Sequence, residues 1–227
     1  MMKRKRMTDQ DPRSGVKCFL FDFGNVVGFF DRTITFKRVV EFSDGSIDQA
    51  LVEAAIHGDG LFVAYEKGEI SSEQYIGTTL QQLGIQLPFE VMKEAWSDII
   101  TPNMDIIQFL PRLKKASYRL VLGSNNNPMH LEQIQKQFGD WMKPFDRMIF
   151  SHEVGVLKPE REFFTLCIAA CGCRPESIVF IDDLEENIHS AATMGFRTLQ
   201  YQRDMKIEEE LARMGILLET SLPSQDN

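Results

Sequence analysis

The sequence predicts an α/β fold built on a parallel sheet, and three observations carry that prediction. A continuous apolar run, the pattern of a strand covered on both faces, stands at 18–21, and further mostly apolar strands read at 118–122, 147–150 and 177–181. Stretches of helical period separate most of them, which calls for right-handed crossovers between parallel neighbours. One stretch, residues 31–100, is helical in period throughout and holds no run of the first kind. Together these describe a Rossmann-like three-layer core with a parallel sheet, into which a small all-helical unit is inserted after the first strand.

The first strand is Cys18-Phe19-Leu20-Phe21, and Asp22 ends it. Open α/β sheets hold their ligands at the carboxyl ends of their strands, and Gly24 lets the backbone approach a bound group closely. A carboxylate placed there without a partner carries an uncompensated desolvation cost. Asp22 is therefore a candidate chemical residue, against the plainer reading of a solvated strand-end acid. In the insertion, Ser46 with Gln49 and Ser71 with Gln74 each fit a capping box. Tyr75, Thr79, Leu80 and Leu83 recur at helical spacing before Gly84, and Val91, Ala95, Trp96 and Ile99 do so after Pro88. Helices are predicted over 47–56, 72–83 and 90–100, with a shorter one at 36–42.

Alternation resumes after Pro102. A helix at 104–116 leads to the strand 118–122, which ends in Gly123-Ser124-Asn125-Asn126-Asn127-Pro128. A short helix follows, then the strand 147–150. Pro159 is placed at the first turn of a helix running to Cys171. The strand 177–181 ends in Asp182-Asp183, a helix at 184–194 is closed by Gly195, and 197–201 reads as the last strand. This organisation gives a core at 16–30 and 101–216, a helical unit at 31–100, and polar tails at 1–15 and 217–227. The basic run Lys3-Arg4-Lys5-Arg6 reads as part of a disordered tail rather than an anion-binding arm.

Composition narrows the class. A chain of 227 residues, 43% hydrophobic and 26% charged, is long enough to bury a sizeable core. Its net charge of -8 argues against a nucleic-acid partner, which needs a basic stripe. No apolar run approaches the roughly 20 residues that span a bilayer, and residues 1–15 lack the apolar centre of a secretory signal. No membrane partner is expected. Four unevenly spaced cysteines suit a reducing, cytoplasmic setting. Cys167, Cys171 and Cys173 read as small buried hydrophobes rather than a metal site. Oligomeric state leaves no signal.

Four strand-end positions carry polar groups: Asp22, then Ser124 and Asn125, then Lys158, then Asp182 and Asp183. Strand ends of a parallel sheet share one edge, so these groups meet there. Three carboxylates about 4 Å apart repel by roughly 4 kcal/mol per pair at an effective dielectric near 20. One lysine does not offset that, whereas a divalent cation does. Oxygen-only ligands suit Mg²⁺ over zinc. Ser124, Asn125 and Lys158 add donors and positive charge around an anion. The set fits a phosphoryl group held against Mg²⁺, with Asp22 placed to attack it. Singly, Ser124 is a turn residue, Lys158 a surface amine and Asp182-Asp183 a helix cap. Their joint placement favours a site.

These motifs carry a resemblance. Phe19 to Val26, Leu122-Gly123-Ser124-Asn125, Val156-Leu157-Lys158-Pro159-Glu160, and Phe180-Ile181-Asp182-Asp183 with Asn187 resemble the four motifs of the haloacid dehalogenase superfamily. The likeness is to the branch with sugar-1-phosphate phosphatases and the epoxide hydrolase N-terminal phosphatase domain. It implies that 31–100 is a cap domain, with 65–71 similar to a cap segment of that branch. It also implies an aspartyl-phosphate on Asp22, with Ser124, Asn125 and Lys158 on the phosphoryl group. Mg²⁺ would be held by Asp22, Asp183 and the Gly24 carbonyl, while Asp182 and Asn187 orient Lys158 and the loop. Many phosphatases of the superfamily carry an acid/base aspartate where this chain has Gly24. His57 and Glu66 are cap candidates for the missing proton donor, each also readable as an ordinary surface residue.

The expected function is thus a Mg²⁺-dependent phosphatase of a small phosphorylated metabolite, such as a sugar phosphate. Two alternatives stand beside it. One is a non-catalytic phosphometabolite-binding or regulatory module that has lost its acid at Gly24. The other is a metal-free haloacid dehalogenase, against which the paired Asp182-Asp183 count.

Overall fold

The structure, a computed structural model, describes residues 15–43, 45–57 and 60–218. Its strands are β1 (Cys18–Phe21), β2 (Gly28–Phe30), β3 (Ile100–Pro102), β4 (Arg119–Ser124), β5 (Arg147–Phe150), β6 (Ile178–Asp182) and β7 (Arg197–Gln200). Five of these make one parallel sheet in the order β5-β4-β1-β6-β7. β1 is central and wholly buried, which is why it reads as an unbroken apolar run. Its side chains alternate between faces: Phe19 and Phe21 join one cluster, Cys18 and Leu20 another.

Helices cover both faces. Those between β1 and β3 are α1 (Arg32–Phe42), α2 (Gln49–His57), α3 (Leu61–Glu66), α4 (Ser72–Leu83) and α5 (Phe89–Ser97). The rest are α6 (Met104–Lys115), α7 (Pro128–Met142), α8 (Ser151–Val154), α9 (Arg161–Cys171), α10 (Glu185–Thr193) and α11 (Ile207–Arg213). Ile106 and Leu110 of α6, Ile134 and Phe138 of α7 and Leu211 of α11 pack with Phe19 and Phe21. Phe163, Phe164 and Cys167 of α9 and Ala191 of α10 pack with Cys18 and Leu20 on the opposite face. The result is the expected α/β, Rossmann-like three-layer core. Helices α1 to α5 gather around a third cluster, with Val39, Ile56, Tyr65, Tyr75 and Trp96, which Met129 of α7 joins.

Several local expectations need correction. The Ser71–Gln74 capping box is present, and Gly84 closes α4 in the left-handed conformation. The Ser46–Gln49 box does not cap α2. Instead the Asp48 carboxylate accepts the Leu51 N–H at 2.8 Å, a charged acceptor well placed at a helix N-terminus. The predicted short helix at 36–42 starts at Arg32, where Asp31 caps it by accepting from the Thr33 N–H. The helix predicted to reach residue 100 stops at Ser97, and Ile100 pairs with Phe30 in the antiparallel β2–β3 ribbon. The short helix predicted after Pro128 runs for 15 residues. Pro159 is not in the first turn of α9, which starts at Arg161; it follows Lys158 through a cis peptide bond.

Cys18, Cys167 and Cys171 are buried and free, whereas Cys173, also expected to be buried, is free but only partly covered because it lies beyond the end of α9. Among the described residues no helix is long and apolar enough to cross a membrane. The basic run at 3–6, and the tails expected at 1–15 and 217–227 apart from residues 15, 217 and 218, lie outside the described residues.

Candidate active site

The sheet order explains why distant acids meet. The chain builds β1, β4 and β5 in one direction, then returns to add β6 and β7 on the other side of β1. Asp22 at the end of β1 therefore sits beside the end of β6, at the switch point where open α/β sheets bind ligands. One carboxylate oxygen from each of Asp22, Asp182 and Asp183 lies within 4.8 Å of the others.

Lys158 ties two of these acids. Its Nζ lies 2.7 Å from Asp22 Oδ1 and 2.6 Å from Asp182 Oδ2, with the side chain 1% exposed. Asn125 holds its backbone: Nδ2 donates to the Lys158 carbonyl oxygen at 2.9 Å, and Oδ1 accepts the Lys158 N–H at 2.8 Å. Asp182 is fully engaged, since its Oδ1 also accepts from the Leu184 N–H and from Asn187 Nδ2. Asp183 accepts from Asn25 Nδ2 at 2.9 Å. Asn25 reaches it by taking a left-handed conformation, φ 54°, which asparagine tolerates better than most residues. The turn closes on Gly28, where a Cβ would lie 2.8 Å from the Phe23 ring.

The electrostatics leave negative charge in excess. Burial pushes Asp22 up to about 7; Lys158 opposes that shift and Asp182 adds to it. Asp183 is also raised, by burial above all, against the hydrogen bond from Asn25. Burial alone would lower Lys158, but Asp22 and Asp182 outweigh it and hold the ammonium firmly protonated. A buried acceptor, Asn187 Oδ1, has no donor among the described residues. Clustered oxygen donors, an orphaned acceptor and three carboxylates facing one ammonium fit a hard divalent cation.

Asp22, Gly24, Asn125, Lys158, Asp183 and Asn187 line one side of a cavity of about 570 Å³. Arg32, Phe62 and Glu66, from α1 and α3, line it too. Ser124, 2% exposed at the end of β4, donates its hydroxyl to the Asn125 carbonyl and does not line the cavity. The two proton-donor candidates separate. Glu66 lines this cavity, whereas His57 lines a smaller adjoining one with Ile56 and Trp96, the two sharing Arg32, Phe62 and His130. Sequence reasoning missed Asn25 and Arg32. The Asp-Phe-Gly-Asn turn was the available signal for Asn25; Arg32 carries none.

A model of the haloacid dehalogenase-like hydrolase family matches residues 16–195. D-ribitol-5-phosphate phosphatase of Bacteroides thetaiotaomicron is 27% identical over 202 residues, covering 86% of this chain and 97% of that protein. An (S)-2-haloacid dehalogenase of Pseudomonas putida is 26% identical over 155 residues, 67% of this chain and 66% of that one. Among solved structures, a HAD family enzyme from Bacteroides thetaiotaomicron in complex with magnesium and inorganic phosphate superposes with a TM-score of 0.75. It is 24% identical, and the match covers 86% of this chain and 98% of that one. Two further curated relatives are longer, this chain spanning 21% and 36% of their lengths.

Proposed function

The chain belongs to the haloacid dehalogenase-like hydrolase family, and on that premise we propose a Mg²⁺-dependent phosphatase that hydrolyses a small sugar or polyol phosphate through an aspartyl-phosphate on Asp22. One observation carries this reading: three carboxylates from two strand ends lie within 4.8 Å of each other beside a single buried lysine. When bound, Mg²⁺ would be held by Asp22, Asp183 and the Gly24 carbonyl, and would supply the positive charge this cluster lacks. Lys158 fixes the Asp22 carboxylate through Oδ1 and neutralises charge that builds on the phosphoryl group. Asp182 aims Lys158, and through Leu184 and Asn187 it fixes the following loop. Asn125 donates to a phosphoryl oxygen, since one Nδ2 hydrogen remains for that purpose beyond its bond to Lys158. Ser124, whose hydroxyl donates to the Asn125 carbonyl away from the cavity, supports the Asn125 loop instead.

Residues 31–100 act as the cap over the core at 16–30 and 101–216, and set substrate choice through Arg32, Phe62 and Glu66. The ribitol-phosphate phosphatase likeness supports a hydroxylated phosphoester. A net charge of -8 supports a small metabolite over a nucleic acid. The dehalogenase likeness and the bare Gly24 favour a second reading, attack of Asp22 on carbon without metal. The surplus of carboxylates beside Lys158 weighs against it.

The test is phosphate release from a panel of phosphorylated metabolites, with and without Mg²⁺, by wild type and Asp22→Asn. Mg²⁺-dependent release that vanishes in Asp22→Asn is expected. Activity retained in that variant removes Asp22 as nucleophile.

A further inference from the structure

An alkyl phosphate leaves as an alkoxide unless a proton reaches its oxygen, and most of the cavity's titratable groups are committed elsewhere. Gly24 has no side chain. Lys158 is bound to two carboxylates, and Asp183 to Asn25. His130 has both ring nitrogens engaged, by Asn127 Nδ2 and the Trp96 carbonyl, and burial lowers it to about 4. Asp31 caps α1 through the Thr33 N–H and hydroxyl.

Glu66 is different. Among the described residues no hydrogen bond or ion pair engages its carboxylate, which faces the cavity that Asp22 lines. The segment carrying it is pinned to the core on both sides. The Met129 N–H donates to the Tyr65 hydroxyl at 3.3 Å, and Lys67 Nζ lies 2.8 Å from Glu160 Oε1. Gly68 sits so close to the His152 carbonyl that a Cβ would lie 2.2 Å from its oxygen.

We propose that Glu66 is the catalytic acid-base residue of this site, reached across the cavity from α3 and serving where Gly24 offers no side chain. The assignment rests on the phosphatase reading. As an Asp22 oxygen bonds to phosphorus, the bond to the alkyl oxygen breaks. Its electron pair stays on that oxygen, which takes the Glu66 proton. The Glu66 carboxylate then takes a proton from the water that attacks phosphorus. The bond to Asp22 breaks, restoring the free Asp22 carboxylate and a protonated Glu66. The charged groups facing Glu66 are Arg32 from α1 and Asp22 and Lys158 from the core. Burial leads, and the balance lifts Glu66 to about 7, so both of its forms are populated near neutrality.

The test compares wild type, Glu66→Gln and Glu66→Asp with Mg²⁺ on two substrates. One is p-nitrophenyl phosphate, whose leaving group needs no proton. The other is the alkyl phosphate that wild type hydrolyses fastest. Glu66→Gln should lose about 10²- to 10⁴-fold in kcat/KM on the alkyl phosphate. On the aryl phosphate it should release one equivalent of nitrophenol per site at the wild-type rate, then turn over slowly because water activation is lost. Glu66→Asp should recover part of the alkyl activity. Unchanged alkyl turnover, loss of the aryl burst, or equal activity of the two variants overturns the assignment while wild-type activity keeps the phosphatase reading. Absence of Mg²⁺-dependent release by wild type from either substrate overturns both.

Discussion

Asp22 and Asp183 bring a measurable thermodynamic consequence. Folding lifts Asp22 from its ordinary 3.8 to about 7, so between those values the folded chain keeps a proton that the unfolded chain has lost. Its contribution therefore favours the fold at low pH and is lost as pH rises through about 7. A cation bound by these acids offsets that loss above pH 7 and competes with protons below it. At 100 times its Kd, a ligand stabilises by about 2.7 kcal/mol, or about 5–10 °C in Tm for a chain of this size. Mg²⁺ should raise Tm by that order at pH 8 and by much less at pH 5.5. Asp183→Ala should abolish the shift, whereas Asp182→Ala should retain much of it and lose rate instead. Melting curves of the three proteins at both pH values check this, and a full shift in Asp183→Ala contradicts the ligand assignment. At this scale Asp22, Asp182 and Asp183 were legible because each closes or follows an apolar strand, where an unpartnered charge is costly, while Lys158, eight residues past β5 and beyond α8, was legible only through its motif. Asn25 was not, because its bond to Asp183 depends on a left-handed turn that only the folded loop reveals.

Elements long enough to show a period were legible, and short ones were not. β1, β4 and β6 announce themselves as apolar runs, and α4 through its capping box and Gly84. β2 and β3 have 3 residues each, too few for any alternation to register. α3 has 6, under two turns, yet it carries Glu66 into the cavity. Besides the Tyr65 and Lys67 contacts, a residue two positions beyond its end holds this helix over the site. Gly68 has φ 69° and faces the His152 backbone, so a methyl group there meets both a strained conformation and a rigid carbonyl. Gly68→Ala should push the end of α3 away from the core. On the reading above, alkyl phosphate turnover then falls at least about 10-fold, within the range ascribed to general acid-base help, while the Mg²⁺-induced Tm shift stays as in wild type. Steady-state kinetics beside melting curves make the comparison, and a lost Mg²⁺ shift would mean that the damage reaches the sheet edge instead.

Over the whole molecule, two kinds of packing divide the work. The acids and Lys158 rest on the sheet, whose clusters run through β1, β4 and β6, while Glu66 and Arg32 rest on helices with their own cluster around Tyr65, Tyr75 and Trp96. Tyr75 is central to the latter: it is fully buried, stacks on Tyr65 at 4.5 Å between ring centroids, and donates its hydroxyl to the Ile56 carbonyl at 3.2 Å. Tyr75→Ala opens a large cavity there, costing about 3–5 kcal/mol by analogy with other aromatic truncations in cores. The helical cluster meets the core at Met129 and where α5 lies on α7, with Trp96 stacked on His130, yet Tyr75 packs within the helical cluster, so the loss should fall first on the helical side. Hydrogen exchange should then speed up in α1 to α5 while the amides of β1, β4 and β6 keep their protection, and Mg²⁺ should still bind. Uniform acceleration across both regions would mean one cooperative unit, in which the sheet edge cannot hold its charges without the helices above it.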